Sequence, residues 1–322
     1  MTLTVSAAPA TPATLVGDAV LMDEAASARE RLLRAGVAEN EAGADAELLA
    51  RHALGWDRAT WLARRRESVP VGFTARYAPL VARRERREPV SQITGEREFW
   101  GLRFAVGPTV LTPRPETELI VETALEVLAD RRDEPLAIAD IGTGSGCLAV
   151  TLAREFRRAV VTAVDLSRDA LRLARRNAAA HGVAGRIQWV RAAFEAWLDG
   201  GGPYGACFDL TVANLPYIPS GEIEALPAEV RDHEPRMALD GGVDGLVSLR
   251  ELFRVWRGVD RYATTPSGAP STASSTWLLV EMGAGQADAV RSLVDRAPGL
   301  DLAGMRVDLR GIPRVAMIRR SR

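Results

Sequence analysis

The sequence predicts an α/β protein: a doubly wound, mainly parallel sheet preceded by a small helical bundle and a β-hairpin linker. Three observations carry this. From Met22 to about Glu88, apolar residues such as Leu32, Leu49, Leu54, Trp61 and Leu62 recur near the 3.6-residue period among Arg and Glu, with Gly36, Gly55 and Pro70 as breaks. After Pro89 the period gives way to short β-like runs, ITGEREFWG and LRFAVG, with turn residues between them. The remaining two-thirds alternates strand-length apolar runs with helical text, the pattern of parallel strands joined by helical crossovers.

Taken in order, residues 1–20 are mostly Ala, Thr, Val and Pro without periodicity and read as a flexible tail. Residues 21–90 form the bundle of three to five helices, 91–112 the hairpin linker (strands within about 91–110), and 113–322 the main domain. There, an apolar run from Leu136 to Ile141 enters a Gly-rich turn and a helix around Leu148 to Arg154. A second run, Val160 to Val164, ends at Asp165 and is followed by the helical SRDALRLARRNAAAHG. Further strands are expected at 187–190, 208–213 and 277–282, with a final pair at 305–309 and 314–318. Between them, residues 263–275 consist only of Ala, Thr, Pro, Ser and Gly, which reads as a flexible surface loop without a function.

Composition narrows the chemistry. With 322 residues, 47% hydrophobic and 26% charged, the chain is long enough for about two ordinary domains. All 41 basic residues are arginine, so catalysis through a lysine amine or a phosphate-loop lysine is excluded; codon bias of a GC-rich genome is the simplest cause. The 42 acids leave a net charge of -1, which implies no global pull toward nucleic acid or an anionic membrane. Cys147 and Cys207 lie outside any CxxC, and His52, His181 and His233 are far apart, so neither a structural metal site nor a disulfide framework is expected. The start lacks a basic region followed by an unbroken apolar stretch, and nowhere do 18 apolar residues run together, which predicts a cytoplasmic chain without membrane contact.

Two motifs carry chemistry. The first is D-I-G-T-G-S-G at 140–146, directly after a strand and before a helix, where Gly142, Gly144 and Gly146 allow a sharp turn and close approach of a ligand. Asp165, ending the next strand, can accept hydrogen bonds from both hydroxyls of a ribose. That pair suits NAD and S-adenosylmethionine alike; the opening acid, Asp140, tips the reading toward S-adenosylmethionine, whose ammonium needs a nearby carboxylate. A plain strand-to-helix turn would carry the same glycines.

The second motif is Asn214-Leu215-Pro216-Tyr217, after the strand FDLTVA, at the carboxyl edge of the sheet where ligands of such folds bind. An Asn carbonyl and a neighbouring backbone C=O can accept both hydrogens of a planar NH2 group while Tyr217 stacks on its π face, which suits an amide or an exocyclic amine. Such a nitrogen is a poor nucleophile, so catalysis by positioning and polarisation is expected, without a strong general base. Other candidates read as structural: the R-R-E-R-R run at 83–87 and Arg64 to Arg66 as solvated faces, the histidines as ordinary residues, Trp100 as packing, and Cys147 as a core filler.

At these residues the chain resembles the peptide-chain release factor N5-glutamine methyltransferases. The resemblance runs over about nine-tenths of the chain, through DAELLARHALGW, TPRPETELIVE, DIGTGSGCLAV, NLPYIP, ALDGGVDGLVSLREL, LLVEMGAGQ and RGIPRVAMIRR. It implies a Rossmann-like seven-stranded class I methyltransferase domain and an N-terminal substrate-recognition domain. It also implies S-adenosylmethionine as cofactor and class 1 release factors, methylated at their Gly-Gly-Gln glutamine, as partners of a monomer. Asn214, Pro216 and Tyr217 become catalytic, with Leu215, Pro113, Arg114, Pro115 and Glu116 in the substrate pocket. The cofactor set becomes Asp140, Gly142, Thr143, Gly144 and Gly146, then Asp165, Leu166, Ala193, Phe194 and Asn214.

Three departures keep alternatives open. Leu215 stands where the family usually has Pro; the backbone acceptor survives, but Asn-Leu-Pro-Tyr is also a form found in rRNA adenine dimethyltransferases. That leaves methylation of an exocyclic amine in rRNA or DNA, or a paralogue acting on another protein or small molecule. Ala192 and Ala193 replace an acid and an aromatic near the adenine, with Phe194 and Glu195 as substitutes, and the 263–275 loop replaces a tight Gly-Gly turn. A catalytically dead binding module is a further class, opposed by the retained Asn214, Asp140 and Asp165.

Overall fold

The computed structural model describes residues 19–199, 208–257 and 276–320. The expected tail, but for its last two residues, and the 263–275 loop lie outside these. The chain divides into two units, Met1–Thr94 and Gly95–Arg322.

Among the described residues of the first unit the 3.6-residue period gives five helices: α1 (Leu21–Arg34), α2 (Glu39–Leu54), α3 (Arg58–Arg64), α4 (Phe73–Glu85) and α5 (Val90–Thr94). Their apolar stripes meet in a core of Leu21, Leu32, Leu49, Trp61 and Phe73, all buried. The Asp57 side chain caps α3 by accepting from the Thr60 N–H at 2.7 Å, and the Tyr77 hydroxyl donates to the Ala46 carbonyl at 2.9 Å. The basic run at 83–87 is the solvated face expected only in part, since Arg86 is exposed but Arg84 is buried. Arg84 is only 3% exposed and donates to Asp45 at 2.7 Å, Arg83 holds Glu88 at 2.8 Å, and Arg87 donates to the Gly36 carbonyl at 2.7 Å. A buried guanidinium needs such a partner, so Arg84 ties α4 to α2 inside the bundle.

The second unit opens with the hairpin β1 (Glu96–Phe99) and β2 (Leu102–Ala105), shorter than the expected span. Residues 90–94 are helical instead, because Pro89 starts a turn whose carbonyl accepts from the Gln92 and Ile93 N–H groups. Trp100 packs as expected, its indole N–H donating to Glu155 at 3.0 Å.

The remaining elements, in chain order, are α6 (Glu118–Val127), β3 (Ala137–Ile141), α7 (Cys147–Glu155), β4 (Val160–Asp165) and α8 (Arg168–Ala180). They continue with β5 (Ile187–Arg191), α9 (Phe194–Asp199), β6 (Leu210–Ala213), α10 (Ala228–Arg231) and α11 (Val247–Trp256). The last are β7 (Thr276–Glu281), α12 (Ala287–Asp295), β8 (Leu300–Val307) and β9 (Pro313–Arg320). The seven-stranded sheet has the order β5-β4-β3-β6-β7-β9-β8, with β9 antiparallel to both neighbours. β8 begins five residues before the expected 305 and stops at Val307. Asp308 ends it by accepting from the Arg310 and Ile312 N–H groups at 2.9 and 3.0 Å, a side-chain-made turn.

Strands buried on both faces read as continuous apolar runs. In β3, Ile138 joins the core under α6 and α7, whereas Ala137, Ala139 and Ile141 join the core under α11 and α12. From β3 the chain steps outward through β4 to β5, then returns to place β6 on the other side of β3. That reversal opens a crevice at the carboxyl ends of β3 and β6, where both sequence motifs end.

Candidate active site

Gly142, Gly144 and Gly146 all have positive φ, at 73°, 53° and 80°. Of these, Gly146 has a packing role: a Cβ there would lie 2.9 Å from the Ala174 Cβ of α8, so it sets the approach of α7 to α8 and does not line the crevice.

Two acids brace this loop from opposite sides. Asp165 accepts from the Gly144 N–H at 2.9 Å and the Ser167 N–H at 2.8 Å, and lines the crevice. Each oxygen keeps further lone pairs for a donor from outside; burial pushes its pKa up. Asp140 departs from expectation. It is 1% exposed, behind the loop instead of in the crevice wall, and its Oδ2 accepts from the Thr143 hydroxyl at 2.6 Å and the Ala149 N–H at 3.0 Å. It therefore pins the loop to the first turn of α7. Burial raises its pKa to about 7, and its Oδ1 is buried without a hydrogen-bond partner.

The Asn-Leu-Pro-Tyr segment is held by distant residues. The Ile218 N–H donates to the Leu239 carbonyl at 3.0 Å, the Gly241 N–H to Ile218 at 2.8 Å, and Gln286 Nε2 to the Tyr217 carbonyl at 2.9 Å. Gly245 is obligatory in this packing: at φ 73°, a Cβ there would lie 2.2 Å from the Tyr217 carbonyl oxygen. The ALDGGVDG stretch thus forms the seat on which the motif rests. Leu215 packs against Gly142, whose added Cβ would meet it at 3.1 Å, so an apolar side chain at the departing position fits the loop opposite.

Asn214, Leu215 and Pro216 line the crevice; Tyr217 does not. Its hydroxyl instead donates to Glu281 Oε1 at 3.4 Å, and its ring lies beside Gly283, where a Cβ would come within 3.1 Å of it. A buried carboxylate needs donors, and Tyr217 supplies one, so the residue expected to stack on a crevice ligand supports Glu281 from outside the crevice wall. Burial pushes the Tyr217 hydroxyl up in pKa.

The PRPET segment divides by its local geometry. Pro115–Thr117 is a 3-10 turn, in which residues three apart share a side. Pro113, Arg114 and Thr117 line the crevice, whereas Pro115 and Glu116 do not, and Glu116 lies 4.0 Å from Arg310. Arg114 is held by Glu234, 2.5 Å away, whose side chain is 1% exposed and also accepts from the Thr112 N–H at 3.4 Å. Burial raises the Glu234 pKa against the lowering pull of Arg114.

Three residues were not singled out by sequence reasoning: Thr117, Glu234 and Glu281. Asn214 Nδ2 donates to Thr117 Oγ1 at 3.0 Å, and the Thr117 hydroxyl donates to Glu281 Oε2 at 2.7 Å. Thr117 could have been found from the i, i+3 relation to Arg114; the two glutamates carry no local signal.

Together these walls enclose a cavity of about 300 Å³. Gly142, Thr143, Gly144 and Asp165 line it, as do the apolar Leu166, Ala192, Ala193 and Phe194 and the acidic Glu195. A nucleoside with a charged tail fits this donor and acceptor set: lone pairs of Asp165 for ribose hydroxyls, apolar side chains for a base, and glycines where backbone must approach. Cys147 also touches the cavity, but burial raises its thiol to about 12, which leaves it protonated and inert. Among the described residues no group of His, Cys, Asp and Glu could hold a metal ion, and no helix is long and apolar enough to cross a membrane.

A family profile described as PrmC N-terminal domain matches residues 25–95, and one described as Methyltransferase domain matches 138–233. A release factor glutamine methyltransferase of Bradyrhizobium diazoefficiens is 40% identical over 273 residues, covering 82% of this chain and 86% of that protein. One from Cereibacter sphaeroides is 40% identical over 304 residues, covering 92% and 97%. Among solved structures, the hMettl16 catalytic domain in complex with MAT2A 3'UTR hairpin 6 superposes with a TM-score of 0.51 at 13% identity, covering 72% of this chain and 80% of that chain; this likeness is one of fold. With such identity sustained over most of both sequences, the chain belongs to the release factor glutamine methyltransferase family.

Proposed function

We propose that this chain transfers a methyl group from S-adenosylmethionine to the side-chain amide nitrogen of a protein glutamine, that of the Gly-Gly-Gln motif of a class 1 peptide-chain release factor. The observation that carries the reading is the setting of Asn214. It lines the cavity beside the glycine loop, and its own NH2 group is already donated to Thr117. Its Oδ1 and the Leu215 carbonyl then form a pair of acceptors for a planar NH2 group. The names of the relatives support glutamine as the owner of that group.

Asp165 would hold the cofactor's ribose, Leu166, Ala193 and Phe194 its base, and Gly142, Thr143 and Gly144 its amino-acid end. When bound, S-adenosylmethionine supplies an electrophilic methyl on a sulfonium. The chain contributes position and polarisation. Two acceptors on the N–H bonds fix the orientation of the weakly nucleophilic nitrogen and draw on its protons. Arg114, held in place by Glu234, offers further N–H donors at the same wall. To the helical unit we assign recognition of the release factor.

The test is transfer of labelled methyl to a release factor, to its Gln-to-Ala variant, to a short Gly-Gly-Gln peptide, and to rRNA and DNA. Label confined to the intact glutamine supports the reading, and preference for the whole factor over the peptide supports the role of the helices. Label in nucleic acid, or equal label in both factors, sinks it.

A further inference from the structure

We infer that Glu281 is a positioning residue for methyl transfer: acting through Thr117, it dictates which end of the Asn214 amide faces the cavity. The inference rests on the proposed role of Asn214 as acceptor for the substrate NH2 group.

The hydrogen bonds have a direction. An ionised carboxylate only accepts, so Thr117 and Tyr217 must both donate to Glu281, at 2.7 and 3.4 Å. The single hydroxyl proton of Thr117 is thereby committed, and its oxygen can only accept. Asn214 must then present its NH2 group to Thr117, at 3.0 Å, and turn Oδ1 away. A flipped amide would set two acceptors against each other with no proton between them, a buried mismatch. A neutral Glu281 removes the constraint, because it can donate to Thr117 and free that hydroxyl to meet either end of Asn214.

Five charged, titratable or hydroxyl groups act on or feel Glu281 besides its burial. Glu116 of the PRPET turn raises its pKa, Arg314 of β9 lowers it, Tyr217 and Thr117 stabilise the ionised form, and the Cys147 thiol of α7 feels its charge. Burial outweighs these and brings Glu281 to about 7. The ionised, direction-giving form is therefore gained as pH rises through neutrality.

The experiment measures methyl transfer to a release factor by the full-length protein from about pH 5.5 to about pH 8.5, with calorimetric affinity for S-adenosylhomocysteine alongside. Variants are Glu281→Gln, Thr117→Val, Thr117→Ser and the Glu281→Gln/Thr117→Val double. Expected is a loss of about 10- to 100-fold in kcat for Glu281→Gln and for Thr117→Val, with KM and S-adenosylhomocysteine affinity within about threefold of wild type. The double should be no slower than the slower single, since both cut one chain. Thr117→Ser should recover most of the rate, and Glu281→Gln should lose the neutral rise in the pH profile. Wild-type rate and pH profile in Glu281→Gln, multiplying losses in the double, or rate and cofactor affinity falling together would overturn the inference. Should Glu281→Gln not fold, the Thr117 pair and the wild-type pH profile decide. A wild-type protein that leaves the glutamine unlabelled refutes the proposed function itself, a different outcome from a labelled glutamine with an indifferent Glu281.

Discussion

The two loops at the carboxyl edge of the sheet are built in opposite ways. The glycine loop after β3 is held from nearby: Asp140 reaches Thr143 and Ala149, and Asp165 returns from the adjacent strand to Gly144. The Asn-Leu-Pro-Tyr segment after β6 is held from far along the chain, by Thr117, Leu239, Gly245, Glu281 and Gln286. The first loop is a conformation that a short sequence imposes on itself. The second is a conformation imposed by its surroundings, with a hydrogen-bonding direction set by a carboxylate that never touches the cavity. A loop that binds a common cofactor needs only its shape, whereas one that must aim an acceptor at a substrate nitrogen needs a fixed polarity as well.

The largest expected effect breaks the second loop at its tip. Asn214→Ala should reduce transfer by about 10³-fold while leaving S-adenosylhomocysteine affinity within about threefold; parallel loss of both would make Asn214 part of the cofactor site instead. Next, Gly245→Ala should destabilise the fold by about 3 kcal/mol in urea unfolding and impair transfer, because the new Cβ must displace the Tyr217 carbonyl. Gly144→Ala, whose Cβ would meet nothing closer than 3.9 Å, should lose only about 1 kcal/mol from its positive φ. Equal losses at the two glycines would erase the distinction between a self-made and an imposed loop.

A smaller effect is expected at Asp165, where Asn keeps one acceptor. Asp165→Asn should weaken S-adenosylhomocysteine binding by about tenfold, read by calorimetry, with little change in kcat at saturating cofactor. The smallest concerns Asp140. Its pKa in the folded protein, about 7, lies above the ordinary carboxyl value of 3.8, so its stabilising contribution is complete at low pH and lost as pH rises toward 7. Between about pH 6 and about pH 8, Asp140→Asn should remove about 1 kcal/mol of the fall in unfolding free energy; an unchanged pH dependence would mean that Asp140 does not titrate in this range.

Much of this was legible beforehand. The period change near Pro89, the alternation of strands and helices, the glycine loop with Asp165, and Asn214 at a strand end all follow from local rules. Local rules also explain the misplacements. Pro115 and Glu116 look like pocket residues in a linear motif, yet a 3-10 turn pairs Arg114 with Thr117 and sends the residues between them elsewhere. Arg84 reads as solvated because its partner Asp45 lies on another helix. Tyr217 reads as a stacking platform because nothing nearby reveals that its hydroxyl is claimed by Glu281.

The fold class, the glycine loop with its neighbouring acid and the place of Asn214 at a strand end follow from the sequence, since each depends on periodicity, backbone freedom or spacing within a short span. Which way that asparagine faces is fixed by packing between distant segments. Its orientation depends on a proton held between Thr117 and Glu281, residues that approach only when the PRPET turn and β7 pack against the end of β6. The direction of a hydrogen bond belongs to the pair of groups that share it, and folding alone brings the pair together.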